Sequence, residues 1–130
     1  MEAHPRSAAD AASDSTPARP GEQVWVILNY VRADKRDEWE QFVRRIHAAA
    51  QQTQPDADKL VRVFLADKPN EDGTYTSVFL MDPVVEGVDY SIVTILTNAY
   101  GAERAKAYAD AGFGCLVREG DAHEVAPLGW

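Results

Sequence analysis

The sequence predicts an α+β domain: a four-stranded antiparallel sheet with helices on one face. Three observations predict it. An apolar, β-branched and aromatic run, QVWVILNYV, is followed almost at once by an amphipathic stretch, KRDEWEQFVRRIHAAA. Two more apolar runs flank a hairpin signal at Asp72-Gly73. Two stretches of helical character then lead into a short final strand.

In chain order, residues 1–22 contain Pro5, Pro17 and Pro20 among repeated Ala, Ser and Asp, without a periodic apolar pattern. Such a segment buries too little to offset its ordering entropy, so a disordered N-terminal tail is expected, with His4 a bystander. The folded domain is expected over residues 23–130, enough for a small core. The first strand alternates, with Val24, Val26, Leu28 and Tyr30 on one face and Trp25, Ile27, Asn29 and Val31 on the other. The following helix, with Asp34 as its expected N-cap, lines up Trp39, Phe42, Val43, Ile46 and Ala50 in one stripe. Its acidic residues come early and its Arg44 and Arg45 late, the order a helix dipole favours. Gln51 to Asp58 reads as a polar connection.

Residues 60–66 form the second strand, Val61, Val63 and Leu65 facing one way and Arg62, Phe64 and Ala66 the other. Residues 74–81 form the third, antiparallel to it, and Asp82-Pro83 ends it. Residues 89–100 are β-branched at Ile92, Val93, Thr94 and Ile95, yet Ile92, Ile95, Leu96 and Ala99 have helical spacing. The helical reading is taken, with Asp89 as cap and Gly101 as stop. Residues 102–111 are good helix formers, stopped by Gly112 and Gly114, and residues 122–126 form the last strand. The order β-α-β-β-α-α-β is a ferredoxin-like α+β pattern. Both faces of the sheet are apolar, and the helices cover one. The open face is larger than soluble monomers usually tolerate, which points to a homodimer.

Composition narrows the function classes. A net charge of −8 and a pI near 4.7 exclude the basic footprint of a nucleic-acid surface and docking on anionic lipid. No apolar run approaches the roughly 20 residues of a membrane span, and residues 1–21 lack the apolar core of a signal peptide. One cysteine, Cys115, allows no internal disulfide, and a cytoplasmic location is expected. No CxxC, HExxH, Walker loop or GxSxG occurs, and the histidines have no ligand spacing, so no metal and no cofactor are expected.

The stretches VWVILNYVRADKRDEWEQFV, EDGTYTSVFLMDP and DYSIVTILTNAYGAERAKAYADA together resemble the dimeric α/β-barrel superfamily, whose best-known branch is the antibiotic biosynthesis monooxygenase-like family. The third stretch is similar to the helical pair of bacterial members. The resemblance implies two sheets paired face to face about a two-fold axis. It also implies a ligand pocket in each subunit between the other sheet face and the helices. Activities across the superfamily range from oxygenation and haem degradation to cyclisation and decarboxylation, so fold alone assigns none of them.

Asn29 is polar near the end of an apolar strand. In oxygenase and haem-degrading members a similarly placed asparagine holds the reactive oxygen or the substrate, since an amide donates and accepts at once. The alternative is an amide bonded to loop backbone. His47, at the edge of the helix stripe, is either a base at a pocket or a half-exposed surface histidine. Tyr90 is the tyrosine best placed to move a proton, the alternative being core packing. Asn29, His47 and Tyr90 are therefore the candidate catalytic residues. Trp25, Arg62 and Tyr75 are the candidate substrate-binding residues; Arg62 either meets a substrate carboxylate or enolate or faces solvent. Cys115 reads as a small core residue and His123 as a strand residue that packs or faces water. The haem-degrading relatives use a histidine and a nearby tryptophan in the second helical region; residues 82–115 contain neither, which disfavours haem.

The expected function is a small cofactor-independent enzyme, monooxygenase- or cyclase-like, acting on an aromatic or polyketide-like molecule. The alternative is a non-catalytic dimeric module that binds a small apolar ligand or serves in stress.

Overall fold

The computed structural model describes residues 2–129; Met1 and Trp130, the ends of the expected tail and domain, lie outside them. Four antiparallel strands, β1 (Val24–Val31), β2 (Val61–Leu65), β3 (Tyr75–Met81) and β4 (Asp121–Val125), form one sheet in the order β2-β3-β1-β4. The long α2 (Arg36–Thr53), α4 (Ile92–Tyr100) and α5 (Ala102–Phe113) form the helical layer. This is the ferredoxin-like α+β architecture expected from the element order.

The two periodicities explain the packing. Along β1, Trp25, Ile27 and Val31 meet the helices, and from α2 Trp39, Phe42, Ala49 and Ala50 are buried against them. Trp39 stacks on Phe79 of β3 with ring centres 5.8 Å apart, and its Nε1 donates to the Ser77 hydroxyl at 3.0 Å. Ser77 in turn donates to the Phe64 carbonyl at 2.9 Å. The buried indole and hydroxyl are thus both satisfied. Residues 92–100 are helical because tertiary packing overrides β propensity: the stripe buries Ile95 and Leu96 while Val93 faces solvent. Gly101, at φ 87°, makes the sharp join between α4 and α5.

Several local expectations are corrected. Asp34 does not cap α2; it lies in a 3-10 turn, Ala33–Lys35, and the residue at the N-cap position, Lys35, makes no side-chain capping bond. Ser91, not Asp89, caps α4, while Asp89 accepts the Ser91 N–H at 2.8 Å. Gly112 does not stop α5; it lies within the helix, where the Phe42 ring leaves no room for a Cβ. The connection after α2 contains a helical turn, α3 (Pro55–Asp58), started by a proline at its first position.

The largest difference concerns the expected disordered tail. Residues 2–22 pack on the domain, with a short helix, α1 (Ala8–Ser13), and parallel bridges from His4 to Glu22 and from Arg6 to Val85. The physical reason is polar rather than apolar. Arg6 is buried and forms an ion pair with Glu22 at 2.8 Å, an interaction that composition does not reveal.

The sheet face away from the helices carries Val26, Leu28, Val78, Leu80 and Phe64 in cross-strand register, with Phe64 48% exposed.

Candidate functional site

Between the β2–β3 half of the sheet and the helices α2 and α4 lies an open cavity of about 590 Å³. Its floor is Ile27 of β1, Ser77, Phe79 and Met81 of β3, and Val61, Val63 and Leu65 of β2. Trp39, Val43, Ile46 and Ala50 of α2 with Ile92 and Ile95 of α4 form the roof. Solvent-facing Glu40, Arg44 and His47 frame the mouth along the β2 edge. Val63 points to the helical side and is still 38% exposed, because nothing fills the space above it. The volume lies within the range of small-ligand pockets, about 300–1,000 Å³, and the lining is predominantly apolar, as such pockets usually are.

Polar chemistry is concentrated at one end. His47 Nδ1 lies 2.8 Å from Asp58 Oδ2; the imidazole side chain is 59% exposed and the carboxylate only 7%. Both line the cavity. Asp58 reaches this position because the turn α3 folds back beside α2. Burial pushes the Asp58 carboxyl above its ordinary range, and the hydrogen bond from His47 opposes that rise. With Nδ1–H donated to Asp58, neutral His47 presents Nε2 as a lone-pair acceptor, the arrangement of an oriented general base. Tyr90 also lines the cavity, and its hydroxyl accepts the Val85 N–H at 2.9 Å. Burial raises the phenol further above its ordinary range, so it stays protonated.

The sequence-derived candidates therefore divide. His47 and Tyr90 meet in one cavity. Asn29 is buried, at 6% exposure, but is not among the cavity-lining residues. It lies toward β4, where the Gly120 backbone packs against its amide. Alternation places a residue on a face, not on the half of that face that a cavity underlies. Trp25 stands beside Tyr90, ring centres 5.5 Å apart, in a neighbouring shallow cleft rather than in the main cavity. Its Nε1 is buried without a hydrogen-bond partner among the described residues. Arg62 is outside: it points to the far face and pairs with Asp82 at 3.4 Å. Tyr75 does not line the cavity either; the Arg36 guanidinium sits 4.2 Å from its ring centre. Cys115 is a buried free thiol whose pKa burial raises, as its reading as a core residue implies.

Asp58 is the residue that sequence reasoning missed. The available signal was an acidic residue one helical turn beyond a proline that follows α2, within reach of the last turns of that helix. Among the described residues no group of three His, Cys, Asp or Glu side chains is arranged to hold a metal ion, and no helix is long and apolar enough to cross a membrane.

No family model matches the chain, and no curated protein matches it. Two proteins are among the solved structures similar to the chain. One, from Caulobacter crescentus CB15, carries a provisional assignment as an antibiotic biosynthesis monooxygenase. It is 15% identical, with 86% of this chain and 93% of that one covered, at a TM-score of 0.46. The other is SnoaB, a cofactor-independent oxygenase from Streptomyces nogalater, solved as an asparagine-to-alanine variant. It is 14% identical, with 83% and 95% covered, at a TM-score of 0.44.

Proposed function

We propose that the chain is a small cofactor-independent enzyme, monooxygenase- or cyclase-like, that acts on an aromatic or polyketide-like molecule in the helix–sheet cavity. The observation that carries this reading is the His47–Asp58 pair at one end of an open, apolar cavity. The cavity binds the flat apolar body of the substrate, and His47 Nε2 takes a proton from an acidic phenol or enol. Asp58 orients the imidazole and stabilises the imidazolium that forms. The resulting electron-rich anion is the common starting species for reaction with dioxygen as co-substrate and for intramolecular ring closure.

The test is to offer the purified protein a panel of enolisable polycyclic phenols in air, following oxygen uptake at an electrode and ring closure by mass. Turnover that His47→Ala abolishes supports the reading. A second reading, a non-catalytic binder of the same ligand class, is favoured by the tied state of Ser77, whose hydroxyl accepts from Trp39 and donates to the Phe64 carbonyl. Tight binding with neither oxygen uptake nor ring closure would establish that reading instead.

The same proposal includes a homodimer, with the apolar outer sheet face covered by a second copy. Sedimentation at micromolar concentration tests it. Leu28→Glu, in the middle of that face, is expected to shift a dimer to monomer, and a wild-type monomer would overturn the pairing.

A further inference from the structure

The geometry points to residues 4–22 as a strap that positions the polar end of the cavity, with the Arg6–Glu22 pair as its clasp. This rests on the reading of that cavity as the functional site.

The clasp is built to saturation. The Arg6 side chain is fully buried, and its Nε and Nη2 donate to the two Glu22 oxygens at 2.9 and 2.8 Å. Nη1 donates to the carbonyls of Asp14 and Thr16 at 3.1 and 2.8 Å, which folds the chain after α1 around the guanidinium. Apolar burial adds little to the hold on this segment; the other fastenings are polar, among them the backbone bonds of His4 and Arg6 and the Ala18 N–H donated to Asp82 Oδ1 at 2.8 Å. The one buried residue of α1 is Ala11, and burying a single methyl group contributes only about 1 kcal/mol. The attachment of the strap therefore depends on its polar centre.

The strap grips the two stretches that carry Asp58 and Tyr90. Arg6 N–H donates to the Val84 carbonyl, and the Arg6 carbonyl accepts from Glu86 N–H, both at 2.7 Å. Val85, held between them, donates its own N–H to the Tyr90 hydroxyl. Ala11 packs against Ala57, Leu60 and Val85. Ala57 precedes Asp58 on α3, a helix of four residues. A single turn does not maintain itself, since helix nucleation is unfavourable, so the position of Asp58 depends on what packs against α3. Arg6 touches neither His47 nor Tyr90; it is a positioning residue acting through Val85 and Ala57.

The test uses full-length Glu22→Gln, Arg6→Met and Arg6→Lys with residue-resolved amide hydrogen exchange, at a temperature where each variant is folded. In Glu22→Gln the amides of Arg6 and Ala11 are expected to lose protection, with those of Val85 and Asp58 exchanging at least about tenfold faster alongside them. The Ile27 and Phe79 amides in the central strands report global unfolding and should remain the better protected. Val85 and Asp58 should open together with the strap and ahead of them, which a merely general loss of stability would not produce. Arg6→Met should exceed this, and Arg6→Lys, which keeps the charge but not the planar fork, should restore only part of the protection. Strap amides that open while Val85 and Asp58 keep wild-type protection would overturn the inference, as would a Glu22→Gln strap that stays closed. If Arg6→Met does not fold, Glu22→Gln decides alone. Binding of 1-anilinonaphthalene-8-sulfonate, followed by fluorescence, separates the two readings. A wild type that does not take up the dye counts against the cavity, whereas the exchange result stands or falls independently.

Discussion

Glu22 and Asp58 are both buried carboxylates bonded to a basic side chain, and they are held in opposite ways. Glu22 receives two donors from Arg6 and the Arg19 N–H at 2.9 Å, and the Arg6 hydrogen bonds draw its pKa down to about 2. Among the described residues Asp58 pairs with His47 alone, and its burial outweighs that bond and drives its pKa up. A carboxylate whose oxygens are filled by donors is a structural fastening. One buried with fewer donors has its pKa raised, a perturbation that often accompanies sites of binding and proton transfer. On the proposed reading the first pair serves architecture and the second serves the site.

The largest effect that breaks the comparison is expected from Arg6→Met. It leaves the Glu22 charge buried with only the half-exposed Arg19 guanidinium, at 3.4 Å, as counterion, so urea unfolding should show a loss of about 3 kcal/mol. A loss below about 1 kcal/mol would mean that Glu22 is easily rehydrated and that the two pairs differ less than their geometry indicates. His47→Ala is the counterpart at the site. The imidazole is largely exposed but is the partner of the buried Asp58 carboxylate, so its loss should cost about 1–3 kcal/mol and leave the protein folded. Turnover of a bound phenol should nonetheless fall about a hundred- to a thousandfold.

The same contrast explains what the sequence makes legible. Strands β1 to β3 and helix α2 follow from periods of two and 3.6, because burial on one face imposes those periods. The helical choice at residues 92–100 holds for the same reason: the spacing of Ile95 and Leu96 reports packing, which outweighs their neighbours' β-branched propensity. The strap has no period to read. Its stability comes from one guanidinium meeting a carboxylate 16 residues away and the carbonyls between them, so its composition alone resembles disorder. At the site, His47 shows itself at the edge of a helical stripe. Asp58 does not, since it reaches the histidine only after the chain turns at Pro55. Asn29 misleads because its strand position is right while the cavity lies under the other half of the sheet.

Acid sharpens the comparison through Glu22. Its carboxyl moves from an ordinary 4.5 to about 2 on folding, so its contribution is fully present above the ordinary value and is lost as the pH falls toward 2. Thermal melts of the wild type should therefore drop steeply from pH 5 to pH 2.5. Glu22→Gln should start lower at neutral pH, by about 1.5–3 kcal/mol, and lose less over that interval, because it has no carboxylate to protonate.

The smallest and most discriminating effect is expected from Asp58→Asn. A carboxyl raised by burial favours the folded state while protonated, and that contribution is lost as the pH rises through its elevated pKa. At neutral pH the ionised Asp58 thus works against folding, whereas an amide carries no charge to desolvate and its oxygen still accepts the His47 Nδ1–H bond. Stability of Asp58→Asn at pH 7 should be unchanged or higher by up to about 1 kcal/mol, while turnover falls because no negative charge supports the imidazolium. The isosteric change is the same at both carboxylates, so the sign of its effect on stability separates them. A loss at position 58 as large as that in Glu22→Gln would make Asp58 a second fastening, and the His47 pair would lose its claim to the site.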